Sequence, residues 1–211
     1  MSLSTRSFAS AAVLIAMLAG CASDPGAAPV LLTVPSANPG TVVSNGADAA
    51  ASAADTNAPL LAVRRIAIPE YLVARRVRYR ADPSTLAEWP NTYWAERIEI
   101  GVSREFISSL RAQLPGWTLC ENTCGDRLPT LALQVEMVPM DYLRSAQKLQ
   151  ARARAVVSSA GSSPRVLQTQ EWSYELPASA DTAQGQAQAV AELIRQVATA
   201  TATLVVKSAK P

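Results

Sequence analysis

Between Leu149 and Val157 the chain alternates: Leu149, Ala151, Ala153 and Ala155 are apolar, while Gln150, Arg152 and Arg154 between them are polar or charged. A two-residue period puts the apolar set on one face of a strand and the arginines on the other, so this segment is expected to be an antiparallel strand buried on one side only. The next seven residues, Ser158 to Pro164, are a loop by composition, and Val166 to Leu176 resumes a strand pattern. The pair reads as a hairpin. A sheet that is apolar on one face needs a cover.

Two helical periodicities supply that cover. Trp94, Ile98, Val102, Phe106, Leu110 and Leu114 recur every four residues, with Pro90-Asn91 as a start and Pro115-Gly116 as a stop. A second helix is predicted from Thr182 to Val206, capped by Asp181 with Gln184 three residues on, an arrangement close to a capping box. Its seam is Ala187, Val190, Ile194, Val197, Thr201 and Leu204. Further strands are expected at Val30–Val34, Leu60–Ile68, around Val77 and Tyr79, and at Trp117–Cys120 and Thr130–Val138. The predicted class is α+β: a mainly antiparallel sheet packed against two amphipathic helices.

The N-terminus carries a different signal. Arg6 precedes the apolar run Phe8–Leu18, which is too short for the roughly twenty residues that a membrane-spanning helix needs. Ala19-Gly20 and then Cys21 follow, so residues 1–20 read as a secretory signal and Leu18-Ala19-Gly20-Cys21 resembles the bacterial lipobox. Cys21 would then be the lipidated residue, because only a thiolate is nucleophilic enough to take the diacylglyceryl group. Ala22 and Ser23 follow where an Asp would favour inner-membrane retention, which by the same resemblance points to the outer membrane, facing the periplasm. Residues 21–59 form a lipidated leader with the Val30–Val34 strand and an Ala/Ser-rich stretch, and residues 60–208 form a single α+β domain.

Composition narrows function by exclusion. The chain has no histidine, which removes Ser-His-Asp and Cys-His sites and the commonest general base near neutral pH. No Gly-rich phosphate loop is present, and Glu96 with Glu99, beside Arg97, reads as a solvated helix face. No enzyme activity, metal or cofactor is expected. Lys and Arg number 19 against 17 Asp and Glu, and removal of Arg6 with the signal brings the mature chain closer to neutral, which gives no case for nucleic acid. Cys120 and Cys124, in an oxidising compartment, are expected to form a structural disulfide pinning a turn. The alternatives are a redox pair or a metal half-site, and the latter lacks any histidine or second cysteine pair to complete its coordination.

Three groups of residues resemble those of a known family: Ile68-Pro69-Glu70-Tyr71-Leu72, then Val77-Arg78-Tyr79-Arg80, then Trp94-Ala95-Glu96-Arg97-Ile98. In this order and spacing, between a lipobox and a C-terminal helix, they resemble the ABC-type transport auxiliary lipoproteins, the PqiC-like group, over roughly residues 60 to 206. The chain departs from the group's Asp-Arg-Pro-like tripeptide at Val73-Ala74-Arg75. The resemblance implies an outer-membrane lipoprotein that docks an MCE-domain periplasmic transport protein. Such a system carries lipids or other hydrophobic molecules between the two membranes. It also implies assembly of copies into a ring, a homo-oligomer.

On this reading Pro69, Tyr71, Leu72, Arg80 and Trp94 are the candidates for partner binding. Each has a structural alternative: Tyr71 and Trp94 as core aromatics, Arg80 as an ion-pair partner, Pro69 as the end of a strand. The six arginines from Arg64 to Arg80 face only Glu70 in that window, and are either a solvated strand face or a surface for an acidic partner or lipid head groups. Two other roles remain open: an assembly or pilot lipoprotein of another outer-membrane machine, and a cell-wall synthase activator.

Overall fold

The computed structural model describes residues 28–36, 58–122 and 124–209. The signal segment, Cys21 and most of the Ala/Ser-rich stretch lie outside the described residues. Eight strands and two helices follow in the order β1 (Val30–Leu32), β2 (Leu60–Val63), β3 (Arg76–Arg80), β4 (Leu86–Trp94), α1 (Ile98–Gln113), β5 (Thr118–Glu121), β6 (Leu131–Leu143), β7 (Lys148–Ser159), β8 (Val166–Pro177) and α2 (Ala183–Ser208).

β6 is the spine of the single sheet. One of its edges carries the antiparallel meander β6–β7–β8, and the other is shared by β2, parallel at Leu131–Leu133, and β3, which meets it at Leu143. Beyond these the sheet ends in β5 on one side and in β4 and β1 on the other. The class is mixed α+β, as expected, but the sheet is antiparallel only at β3–β4, β6–β7 and β7–β8, whereas β1–β4, β2–β5, β2–β6 and β3–β6 are parallel. The β6/β7 register slips between Met137 and Met140, which is how a central strand accommodates Pro139.

The alternation in β7 does what its period dictates. Leu149, Ala151, Ala153, Ala155 and Val157 are buried, and Gln150, Arg152 and Arg154 are exposed. The small alanines let α2 lie close, and its Ala187, Val190, Ile194 and Val197 join them in one core with Val102, Phe106 and Leu110 of α1. α2 is long and apolar enough by composition to cross a membrane, yet 61% of that window is buried within the domain, as a core helix should be.

Several boundaries differ from the sequence reading. The first helix begins at Ile98, not at Pro90-Asn91; the earlier stretch is β4, in which Asn91 takes a left-handed backbone (φ 47°) and the register with β3 shifts. Trp94 matched the helix spacing although it sits on a strand, because Trp94 and Ile98 both face the core. The C-terminal helix is capped by Thr182, whose hydroxyl accepts from the Gly185 N–H at 3.0 Å, rather than by Asp181. β2 ends at Val63, and Pro69 stands at the start of a single 3₁₀ turn over Glu70–Leu72 instead of closing a strand. β1 joins the same sheet by pairing with β4, so residues 30–32 belong to the folded unit along with the region from 60 onward.

Candidate functional site

The Pro69–Leu72 turn, the end of β3 and the end of β6 meet at one place. Tyr71 donates its hydroxyl to Asp141 Oδ1 at 2.9 Å, and Arg80 Nη2 reaches the same oxygen at 3.0 Å. The guanidinium carbon lies 5.5 Å from the Tyr71 ring centroid, within cation–π range. The side chains of Arg80 and Asp141 are only 18% and 14% exposed, so this is a largely desolvated pair joined by charge-assisted bonds. Burial first, then the Asp141 acceptor, pushes the Tyr71 hydroxyl above its ordinary pKa, and the Asp141 bond raises that of Arg80. Arg80 Nη1 also donates to Pro83 O at 3.2 Å, while its Nε is buried without an acceptor among the described residues.

Arg80 and Asp141 of this triad line an open cleft of about 500 Å³ whose other lining residues include Asp82, Pro83, Ser145 and Gln150. Asp82 is held by the Ser84 and Thr85 backbone N–H groups, both at 2.9 Å, and these bonds lower its pKa. The cleft mixes both signs of charge with hydroxyl and amide groups, a composition suited to polar contact with a protein surface.

Behind the triad a second cluster locks β3 and β4 to α2. Gln186, buried, accepts from Trp89 Nε1 at 2.7 Å and donates to the Arg78 carbonyl at 2.7 Å. Arg144 stacks over Trp89 (4.4 Å) and Tyr79 (4.9 Å), donates to the Tyr79 hydroxyl at 2.8 Å and pairs with Asp181 at 3.2 Å. Arg78 closes the arrangement by donating to the Tyr71 carbonyl at 2.8 Å and pairing with Glu88.

Of the residues singled out in the sequence, Tyr71 and Arg80 therefore meet, on Asp141. Pro69 and Leu72 are buried beside them and hold the turn. Trp94, 3% exposed, lies apart at the end of β4, where it forms the floor of a smaller cavity of about 260 Å³ with Val73, Arg75 and Arg97. The arginines on β3 are matched by carboxylates from outside their window: Arg76 and Arg78 by Glu88, Arg80 by Asp141. Glu99, expected on a solvated face, is buried and pairs with Arg97. Cys120 and Cys124 are joined as a disulfide with Cα atoms 5.3 Å apart, at the end of β5 and away from the cleft. Asp141, Gln186 and Arg144 had no local signal: each acts across sixty or so residues of sequence or more, or on a partner in another element.

Residues 43–202 match the family model described as the ABC-type transport auxiliary lipoprotein component. The chain belongs to this family. The auxiliary lipoprotein fold is shared with solved structures at low identity. One titled only as an uncharacterized protein matches with TM-score 0.64 and 16% identity, covering 84% of this chain and 99% of that one. A Xanthomonas campestris protein of family DUF330 matches with TM-score 0.58 and 15% identity, covering 73% of this chain and 90% of that one. No curated protein matches the sequence. The Tyr71–Asp141–Arg80 site lies wholly inside the matched region, and membership makes the chain an auxiliary part of a transport system, a role outside known enzyme families.

Proposed function

We propose that this auxiliary lipoprotein is held by acylated Cys21 at the outer membrane, faces the periplasm, and docks an MCE-domain transport protein that moves lipids or other hydrophobic molecules between the membranes. The observation that carries the reading is the family match over residues 43–202, together with the lipobox that precedes it. In this reading the protein acts by docking and assembly and does no chemistry on the cargo.

The cleft beside Tyr71, Asp141 and Arg80 is the docking site that the geometry favours. Its walls are held by bonds between elements, Arg80 to Asp141 and Gln150 to Glu175, so a partner meets a preformed surface and little ordering entropy is lost on contact. Arg80 and Asp141 shape this surface directly, Tyr71 holds Asp141 from the turn that Pro69 and Leu72 fix, and Trp94 belongs to the separate cavity at the end of β4.

The test is a pull-down of the acylated protein from detergent-solubilised envelopes, with Cys21→Ala as the anchor control. Gln150→Arg and Ser145→Arg, both at exposed positions on the cleft, serve as docking variants that leave the triad intact. Recovery of an MCE-domain protein that is lost with the cleft variants is the expected result. Recovery of a secretin, a pilus component or a wall synthase in its place would overturn the proposal.

A further inference from the structure

The strand that follows Cys21 most closely in sequence, β1, is an edge strand with exposed apolar side chains. β1 begins about nine residues after Cys21, and at ~3.3–3.6 Å per residue the connecting chain spans at most ~30 Å. Whatever the path of that chain, β1 is confined to the neighbourhood of the bilayer surface if Cys21 carries lipid.

The register of β1 on β4 sorts its side chains by face. Leu32 lies opposite Trp94 and packs on the core, so Leu31, opposite Tyr93, faces outward. Leu31 is 56% exposed and Val30 40%. Pro29, Leu31, Arg75, Asn91 and Tyr93 together line a shallow depression of about 300 Å³. Arg75 is exposed, and Arg76, half exposed, holds its guanidinium 5.3 Å from the Tyr93 ring centroid. Glu88 pairs with Arg76 and Arg78, and Glu96 with Arg104, so the carboxylates near this edge are already engaged by arginines. Exposed aliphatic side chains, a tyrosine with an apolar ring and a polar tip, and arginines that reach past them form the residue set that settles at a phospholipid head-group layer.

We propose that the β1–β4 edge, through Leu31, Tyr93 and Arg75, rests on the phospholipid head groups of the membrane that holds Cys21. The patch alone is too small for stable attachment. The anchor supplies a high effective concentration, so even a weak contact sets which way the domain faces. The inference rests on the lipid-anchor reading of Cys21. It adds an orientation: β1 and β4 down, β8 at the far end of the sheet away from the surface.

A nitroxide label tests this. In the acylated protein Cys21 is blocked and Cys120 is joined to Cys124, so Leu31→Cys or Gln170→Cys introduces a single reactive thiol, the latter at an exposed position on β8. The labelled full chains are reconstituted on vesicles of phosphatidylethanolamine and phosphatidylglycerol. Collision of each label with oxygen, which partitions into lipid, is compared with collision with an aqueous nickel chelate, and flotation is scored on the same samples. We expect severalfold lower nickel accessibility at position 31 than at 170, relieved by Arg75→Glu. Protein that floats while position 31 stays as open to nickel as 170 overturns the orientation and leaves the anchor standing. Protein that does not float overturns the anchor, and this proposal with it.

Discussion

Asp141 is the residue that joins Tyr71 to Arg80, and its removal has a calculable effect. In the native chain its Oδ1 accepts from Tyr71 at 2.9 Å and from Arg80 at 3.0 Å. Each bond to a charged acceptor contributes about 1.5–3 kcal/mol, which sets ~3–6 kcal/mol as the gross loss for Asp141→Ala. Arg80 keeps its bond to Pro83 O and regains water from the cleft, since its side chain is 18% exposed. That recovery lowers the net expectation to ~2–4 kcal/mol, close to the range for breaking a buried ion pair. For a domain of this size the corresponding fall in Tm is about 5–15 °C. Urea unfolding followed by tryptophan fluorescence and far-ultraviolet circular dichroism measures it, in a cycle with Tyr71→Phe. Tyr71→Phe alone is expected to cost about 1–2 kcal/mol and close to nothing once Asp141 is gone, because the hydroxyl's acceptor is then absent. A loss below ~1 kcal/mol for Asp141→Ala, or an equal cost of Tyr71→Phe in both backgrounds, would refute the coupling described here.

Gln186→Met keeps the side-chain volume but leaves the Trp89 indole N–H and the Arg78 carbonyl without their partner, so a loss of about 2–4 kcal/mol is expected from the same unfolding assay. A change within experimental scatter would mean that water replaces both bonds. Gly185→Ala should destabilise although alanine is the better helix former, because a Cβ there would stand 2.2 Å from the Ala180 carbonyl oxygen; a higher Tm for this variant would contradict the packing of the α2 entry. Tyr71, Tyr142 and Tyr174 all have pKa values raised above 10.0, chiefly by burial. Their neutral forms favour the folded state, so the stability they contribute is complete below about pH 10 and is lost as pH rises through the folded values. A denaturation midpoint that stays flat as pH is raised through and beyond about 10 would count against this, and Tyr71→Phe should shallow the alkaline decline.

The parts of this fold that could be read from the sequence are those in which a single period runs long enough to be heard. β7 alternates over its whole length because only one face is covered, and α2 keeps its seam because it lies along the sheet. β4 was missed for the opposite reason: Leu86–Trp94 contains Pro90-Asn91, a turn signal that here marks a register shift inside a strand. The parallel pairings were invisible because β1, β2 and β5 are three or four residues long, too short to show any period. At the site, Tyr71 and Arg80 stood out through their family context, while Asp141 is one acid in a strand pattern and becomes legible only when β3 and β6 are set side by side. Gln186 lies outside the apolar seam that begins at Ala187, and its burial follows from β3 and Trp89 lying against the first turn of α2.

The short β1 strand has a mechanical meaning. With Cys21 acylated, any pull between the membrane and a docked partner enters the domain at Val30, where only three residue pairs hold β1 to β4. The long β6–β7 and β7–β8 ladders lie off that line of force. β1 would therefore yield first, as far as Val34, which is 4% exposed and packs beside Gly101 of α1, with the remaining seven strands and both helices still folded. The strand would act as a breakaway clip, giving a little slack under load while Val34 keeps the chain fastened to the core.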